Sequence, residues 1–531
     1  MVQGRTRGAW RGRWLMDAVQ RRAALLLTGR WHYAILFIAG GLQSVSVCWP
    51  FGFVFVQGQG VWWLQLLSLS VLCVSLHRSA SPAQAFLRGT CFAVVWLSTT
   101  FWWLYVAMHT YGGLPALLAA VAVLALAGAL ACYYGAAAAL AWRLGAQRPH
   151  RAALVFAACW AMAEMARGTW LTGFGWGAAG YAHLDGPLAA YAPWVGAYGL
   201  AALAAYLSAS LALSVRPARG SVLAGLVVVG AGLGLGAASS GWTGPAGTLS
   251  VALLQGNIPQ DEKFETGTGV PLALSWYAEQ LLRSRADLVV APETAIPLLP
   301  ADLPDGYWRR LAGHFQTGTT AAMTGIPLGN YSQGYTNAVL GLQPQAPQPW
   351  QYDKHHLVPF GEFIPPLFKW FTRMMNIPLG DFNRGAVNQP PFVWHGQRLA
   401  ANICYEDLFG EELGARFADP AQAPTIFVNF SNIGWFGDTV AIDQHLQISR
   451  MRALEFERPF VRATNTGATV ILDHHAHTVA ALPRLTRGVL EGTVGGRTGT
   501  TPFAWWVSRC GLWPLWLLAL AVLVSGWRQR D

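Results

Sequence analysis

A chain of 531 residues that is 53% hydrophobic and only 12% charged, with 26 tryptophans, is too apolar for a soluble globule of this size. The composition predicts an integral membrane protein carrying a soluble insert. The formal net charge of +10 does not argue for a nucleic-acid partner, because the arginines stand in short clusters beside apolar runs, where they set membrane orientation.

Residues 1–32 carry Arg5, Arg7, Arg11, Arg13, Arg21, Arg22 and Arg30 against one acid, Asp17, and should stay in the cytoplasm. The first apolar stretch is followed by several of the same kind and lacks a clear small-residue cleavage site. It therefore reads as a retained helix rather than a signal peptide. Candidate spans fall at 33–49, 53–76, 86–108, 114–142, 152–166, 188–215 and 220–240, with an eighth at 511–527, each near the length needed to cross hydrocarbon. Basic residues follow every second span: His77 and Arg78 to Arg88, then Arg143, Arg148 and Arg151, then Arg216 and Arg219, then Arg528 and Arg530. The other loops are nearly free of lysine and arginine, with Arg167 the main exception. Eight crossings with both ends inside satisfy this pattern. They divide the chain into a cytoplasmic segment 1–32, a seven-helix membrane domain 33–241, an extracytoplasmic domain 242–508, and a last helix with its tail, 509–531.

Glu164 and Arg167, three apart at the outer end of the fifth span, can pair on one helical face. The pair either marks a cavity at the membrane surface or is a plain interfacial salt bridge. The glycine- and aromatic-rich loop Trp170-Leu-Thr-Gly-Phe-Gly-Trp176 reads either as a mobile lid or as part of an aromatic belt.

The outer domain opens with a strand-like run, 249–256, then an amphipathic helix at 271–285 and a buried strand over 287–293 that delivers Glu293 at its carboxyl end. Further strand-like runs lie at 320–325, 335–342, 424–430, 460–464 and 468–473, with helical patterns at 303–315 and 440–456. Mixed elements over this length predict a layered α/β domain with a large core. Of seven cysteines, Cys48, Cys73, Cys91, Cys132, Cys159 and Cys510 lie in or beside hydrophobic segments, and Cys404 alone belongs to the polar part. Cys404 ends the run Leu399-Ala-Ala-Asn-Ile and stands at a strand-to-helix junction, where the helix dipole favours thiolate; the competing reading is a small core residue. Glu293, Lys354 and Cys404 could supply a base, a fixed cation and a nucleophile to one site, or be a helix cap, a solvated charge and a core atom.

These residues carry a resemblance. Pro292-Glu293 after a strand, Lys354 before His-Leu-Val-Pro-Phe-Gly-Glu362, and Ile403-Cys404-Tyr405-Glu406 make residues 249–495 similar to the carbon-nitrogen hydrolase, or nitrilase, superfamily. Added to them are Leu171-Thr-Gly-Phe-Gly-Trp176, Asp185-Gly-Pro187, Gln255-Gly-Asn-Ile-Pro259, Ser431-Asn432, Trp435-Phe-Gly437 and Arg450-Met-Arg-Ala-Leu-Glu455. With these, the chain from about residue 33 to its last helix resembles the superfamily's membrane branch, the apolipoprotein N-acyltransferases.

The resemblance implies a polytopic helical membrane domain of about eight spans plus an extracytoplasmic nitrilase-like αββα sandwich. It implies a bacterial inner-membrane location with the catalytic domain on the periplasmic side. It also implies a ping-pong reaction. Cys404 takes an acyl chain from a membrane glycerophospholipid as a thioester, and the α-amine of a diacylated N-terminal cysteine on an apolipoprotein then accepts it. By the same resemblance Glu293 is base then acid, Lys354 steadies the tetrahedral intermediate, Glu362 is a supporting carboxylate, and Tyr405 and Glu406 match positions tied to activity. The Tyr405 backbone N–H is a candidate oxyanion donor.

Trp242 and Trp435 are candidate lipid or substrate contacts, Trp242 equally an interface marker. Asp353 stands where relatives often carry asparagine and Ile433 where an acid is common, so neither is given a role. A thioester stores the acyl group without ATP, so no cofactor and no metal are expected, and the chain is taken as a monomer. His474, His475 and His477 read as an exposed turn rather than a metal site, His355 and His356 as loop packing, and His445 as packed near the site. Two competing functions remain at this stage. One is a membrane-tethered amidase with water as acceptor; the other is a transporter with an outer binding module, against which stand the few charges in the spans and the lack of an evident inverted repeat.

Overall fold

The computed structural model describes residues 31–145, 149–213, 219–237, 241–330, 332–364 and 382–527. The basic cluster of residues 1–30 and the topogenic arginines Arg148, Arg216, Arg528 and Arg530 lie outside the described residues.

Each expected span falls on a helix: α1 Trp31–Val47, α2 Trp62–His77, α3 Pro82–Thr100, α4 Ala116–Leu144, α5 Pro149–Thr169, α6 Ala192–Leu213, α7 Arg219–Ala237 and, near the end of the chain, Trp513–Trp527. Their lengths differ from expectation. The run 53–76 begins its helix only at Trp62, because Pro50, Gly52, Gly58 and Gly60 break the apolar stretch before it. The third span stops at Thr100 and continues, bent by 60°, as Leu104–Tyr111; the last helix meets Pro502–Cys510 at 89°. Among the described residues, two single helices are long and apolar enough to cross a membrane, Ala116–Leu144 and Ala189–Leu213, or up to four if each bent pair is one span.

Helix α3 starts where Ser81 accepts the Gln84 N–H at 3.2 Å and Pro82 occupies the first turn. Helix α4 presents a stripe of small residues, Ala119, Ala127, Ala131, Gly135 and Ala138, to the bundle and leaves Leu117, Leu118, Val121 and Leu124 exposed. The stripe lets α3 and α4 approach closely. A Cβ added at Gly89 would sit 2.6 Å from the Ala138 Cβ, so only glycine fits that crossing.

Beyond the bundle stand two six-stranded sheets. The first runs β12-β1-β2-β3-β4-β5 and the second β11-β10-β9-β8-β7-β6. The strands are β1 Thr243–Gln255, β2 Leu288–Ala291, β3 Ala321–Asn330, β4 Gly334–Leu342, β5 Trp350–Asp353, β6 Phe392–Trp394, β7 Gln397–Ile403, β8 Ile426–Ser431, β9 Phe460–Thr464, β10 Val470–Leu472, β11 Thr478–Ala481 and β12 Gly488–Gly499. The trios β1-β2-β3 and β7-β8-β9 are parallel and the remaining pairings antiparallel.

Side-chain alternation decides the layers. Leu249, Val251, Leu253, Leu288 and Val290 point inward onto Leu399, Ala401, Ile403, Val428 and Phe430 of the other sheet. The odd-faced neighbours Ala252, Leu254, Val289 and Ala291 point outward under helices α8 Gly269–Arg283 and α9 Tyr307–Thr317. Outside the second sheet lie α10 Gly410–Ala415 and α11 Ala441–Phe456, and the layering is the αββα sandwich of the nitrilase-like fold.

Helix α11 is a shared wall. Of its 16 residues 13 are buried, because one face covers the second sheet through Phe427 and Phe460 while the other meets the helix bundle in a single core. Polar pins cross that wall. The Gln444 carbonyl oxygen accepts the Trp103 indole at 2.9 Å and the Trp176 indole at 2.7 Å, and its amide donates to the Thr100 carbonyl at 2.9 Å. Arg450 pairs with Asp185 at 2.6 Å, and Glu455 accepts the Ala197 N–H at 2.6 Å.

Candidate active site

The parallel strands β2, β7 and β8 end on the same side of the sandwich, the position where ligands gather in α/β sheets. Glu293 lies just past β2 in a turn where Thr294 takes φ +47°. Strand β3 presses against this turn: a Cβ at Gly325 would come within 2.7 Å of the Glu293 Cα. Lys354 directly follows β5, its N–H bonded to the Asn337 carbonyl at 2.8 Å. Cys404 directly follows β7 in the left-handed region, φ +53°, which turns the chain sharply at the nucleophile.

The structure brings the expected charges together. Lys354 Nζ stands 3.3 Å from Glu293 Oε1 and 2.9 Å from Glu362 Oε1, with all three side chains buried. Asn337 Nδ2 donates to both carboxylates, at 2.7 and 2.8 Å, and the Asn432 N–H caps Glu293 Oε2 at 2.9 Å. Glu362 also accepts the Val358 N–H at 2.8 Å. Burial alone would lower the Lys354 ammonium, but Glu362 and Glu293 outweigh it and hold it well above the ordinary lysine range.

One expectation is corrected here. The Cys404 thiol is not biased toward thiolate: burial, then the Glu293 carboxylate, push it up to about 12 against Lys354 and a hydrogen bond with Ser431. The element after it is a short 3₁₀ turn, Cys404–Leu408, rather than a long helix with a dipole to offer. A resting thiol needs a base in its site, and Glu293 is the carboxylate most strongly felt by the sulfur.

Glu406 locks two loops to each other. Its carboxylate accepts the Ile403 N–H at 2.6 Å and the Tyr352 hydroxyl at 2.9 Å on one oxygen, and the His355 and His356 N–H groups at 2.7 and 3.0 Å on the other. The residues bordering the nucleophile and those bordering Lys354 thus hang from one side chain. Tyr405 reinforces the link, its hydroxyl donating to the Leu357 carbonyl at 2.8 Å with Lys354 Nζ 5.9 Å from its ring centre.

Beneath Cys404, its carbonyl accepts from Asn429 Nδ2 at 2.9 Å and from His445 Nε2 at 3.2 Å. The Arg462 guanidinium, which only donates, lies 3.2 Å from His445 Nδ1, so Nε2 carries the proton and donates to Cys404 and to Asp407 Oδ1 at 3.0 Å. Burial holds His445 below its usual range, and Asp407 is held low because His445 and Arg462 outweigh burial. His445 is therefore a backbone support, as its packing beside the site suggested.

Sequence reasoning missed several residues. Lys263 is buried with its Nζ 3.1 Å from the Glu293 carbonyl. Asn337 and Asn429 are polar positions inside apolar strands, a pattern that singles out site-facing side chains once the strands are known; Ser431, quoted above only as part of a motif, proves to hydrogen-bond the thiol. Trp242 is not at the charges: it is 38% exposed and meets Trp194 edge-on at 5.1 Å. Trp435 meets Tyr111 edge-on at 6.2 Å. His355 and His356 pack in the loop, on the Gly385 carbonyl and the Phe409 ring, and His474, His475 and His477 lie in the turn between β10 and β11 around Asp473.

The Glu164–Arg167 pair is a buried ion pair tied to the loop that follows it. Both side chains are fully buried 3.3 Å apart, and Arg167 also donates to the Tyr134 hydroxyl and the Phe174 and Trp176 carbonyls at 2.7, 2.7 and 2.8 Å. The loop after it is pinned rather than free at its second half, while Trp170 and Leu171 remain exposed and Trp170 stacks on Trp516 at 5.9 Å.

Comparison with known proteins places both halves. Residues 46–210 match the family model "Apolipoprotein N-acyltransferase N-terminal domain", and residues 250–502 match "Carbon-nitrogen hydrolase". The apolipoprotein N-acyltransferase of Verminephrobacter eiseniae (strain EF01-2) is 56% identical over 508 residues, covering 91% of this chain and 94% of that one. That of Ralstonia nicotianae is 44% identical over 475 residues, 88% of this chain and 90% of that one. Among solved structures, a carbon-nitrogen hydrolase from Helicobacter pylori G27 aligns with 16% identity and a TM-score of 0.35 over 51% of this chain and 94% of that chain. With a bundle model and a hydrolase model matched in series, and relatives alike over nearly their whole length, the chain belongs to the apolipoprotein N-acyltransferase family.

Proposed function

We propose that the enzyme transfers a fatty acyl chain from a membrane glycerophospholipid, through a thioester on Cys404, to the N-terminal amine of a diacylated apolipoprotein. The observation that carries this reading is the juncture of Cys404, Glu293 and Lys354 at the strand ends of a sandwich whose outer wall, α11, is packed on apolar helices. Both substrates are lipid-anchored, and a site against a helix bundle lets them arrive laterally.

In the acylation half, Glu293 takes the thiol proton as sulfur attacks the ester carbonyl, and Lys354, with the Tyr405 N–H, stabilises the developing oxyanion. Glu293 then returns the proton to the departing lysophospholipid oxygen. In the second half, Glu293 accepts a proton from the attacking amine, and as the intermediate collapses it returns that proton to the departing Cys404 sulfur, restoring the thiol. Glu362 holds Lys354 and Asn337, and Glu406 sets the distance between nucleophile and cation.

The same reading assigns residues 1–32 to the cytoplasm, 33–241 to a seven-helix membrane domain, 242–508 to a periplasmic catalytic domain and 509–531 to a final span and tail. The protein then works as a monomer in the bacterial inner membrane, with Trp242 and Trp435 near lipid and no nucleic acid, metal or cofactor involved. Intact-mass analysis of the full-length enzyme after incubation with phospholipid vesicles tests the chemistry. An acyl adduct mapping to Cys404, discharged onto an added diacylated peptide with a matching gain in peptide mass, is expected. An adduct elsewhere, or free fatty acid as the sole product, overturns it.

A further inference from the structure

The carboxylates and cations around the nucleophile pair off unevenly until Lys263 is included. Asp407 is matched by Arg462 at 3.1 Å. Glu406 shares the Tyr352 hydroxyl with Arg416, whose charge also acts on it. Glu293 and Glu362 then face one cation, Lys354, between them. Glu412, half-open to solvent, pairs with His356 outside this group. Lys263 is 1% exposed, its Nζ fixed on the Glu293 backbone carbonyl at 3.1 Å, and the charges acting on it are Glu293 and Cys404. Among the described residues, these four carboxylates are thereby met by four cations.

Resting on the active-site reading above, we infer that Lys263 is the positioning counter-charge of the acylation step, offsetting the negative charge that Glu293, Glu362 and the developing thiolate bring together. The physical reason is the low polarity of the site. Without a second ammonium, two buried carboxylates share one cation, and the net negative charge opposes both the ionised Glu293 and a thiolate developing at Cys404. The negative charge that builds up as the proton leaves sulfur is then less well compensated. Burial pulls the Lys263 ammonium down to about 7 against the attraction of Glu293, so this counter-charge is itself titratable near neutrality.

Single-turnover acylation of the full-length enzyme by phospholipid vesicles, followed by intact mass from about pH 5 to about pH 10 without acceptor, tests this. In Lys263→Met the acid limb of the rate profile should move up by about one pH unit, with a loss of up to about tenfold on that limb. Above the titration of Lys263 the wild-type advantage should shrink, because the wild-type lysine is then neutral as well. Lys263→Arg, which keeps a fixed charge, should bring the limb back. Lys263→Gln gives the same readout if the methionine variant folds poorly, as judged by thermal unfolding. An unshifted limb in the neutral variants, whatever their rate, or an arginine variant whose limb matches theirs, overturns the inference. A Cys404→Ala control separates the two readings: if it still acquires an acyl chain, the nucleophile assignment fails, and if it does not while the limb stays put, Lys263 alone loses its role.

Discussion

In the helix bundle, Arg167 directs its guanidinium at one carboxylate, one hydroxyl and a row of loop carbonyls, so it ties the loop after the helix to the helix core. In the sheet sandwich, Lys354 directs its ammonium at two carboxylates that stand beside a thiol, and those carboxylates are capped by an amide and by backbone N–H groups. Both clusters are dry and ionic. The first is closed, every partner being structural, whereas the second has a neighbour whose proton can leave. A buried ion pair alone therefore does not mark an active site; a buried ion pair beside an unionised nucleophile does.

Ways to break this contrast differ widely in size. Cys404→Ser should lower acyl-enzyme formation by about 10⁴-fold while the thermal unfolding profile in detergent stays that of the wild type. Next, Glu293→Gln should slow acylation by about 10²-fold to about 10⁴-fold, since the thiol at about 12 then has no base; rapid-quench acylation unchanged from wild type would remove Glu293 from that role. On the structural side, Arg167→Met leaves Glu164 buried without its cation and should cost about 3–5 kcal/mol, read as a fall in unfolding temperature, with the double variant Glu164→Leu/Arg167→Met recovering part of it.

Glu406→Gln sharpens the comparison from the other side. Replacing one acceptor oxygen by an amide disrupts the clamp between the Cys404 and Lys354 loops, and should reduce kcat by about 10-fold to about 100-fold with the thermal profile little changed. The smallest effect concerns the wall between the two regions. Burial raises Glu411 and Glu455 each to about 7, so the folded protein holds protons there that the unfolded chain has released. The stability from these groups is present below the ordinary glutamate range and is lost as pH rises through about 7. Glu455→Gln should flatten that slope in a pH series of unfolding temperatures.

Much of the sandwich was legible because its strands repeat with period two and its helices with period 3.6. Strand β9 occupies the expected residues 460–464, and α8 begins two residues before its expected start. Strand β12 was missed because Gly488, Gly492, Gly495, Gly496 and Gly499 hide its pattern; it is held by its antiparallel ladder to β1, which only the fold reveals. The span drawn over 53–76 was too long because hydropathy does not register the turn at Pro50 to Gly60. At the site, Glu293, Lys354 and Cys404 were found from strand ends and resemblance. Lys263 was not, since it sits in a turn with no periodicity and acquires meaning only from its distance to Glu293. The protonation state of Cys404 was misjudged for a related reason: the dipole argument used local sequence, whereas desolvation comes from the whole surround.

Helix α11 has no solvent side of its own, with the hydrolase sheet on one flank and the bundle on the other. Excising residues 242–508 as a water-soluble fragment would strip that helix of its bundle neighbours, leaving Gln444 without the Trp103 and Trp176 indoles and Glu455 without its amide donor. This catalytic half should aggregate when severed, so the helix bundle doubles as its folding partner.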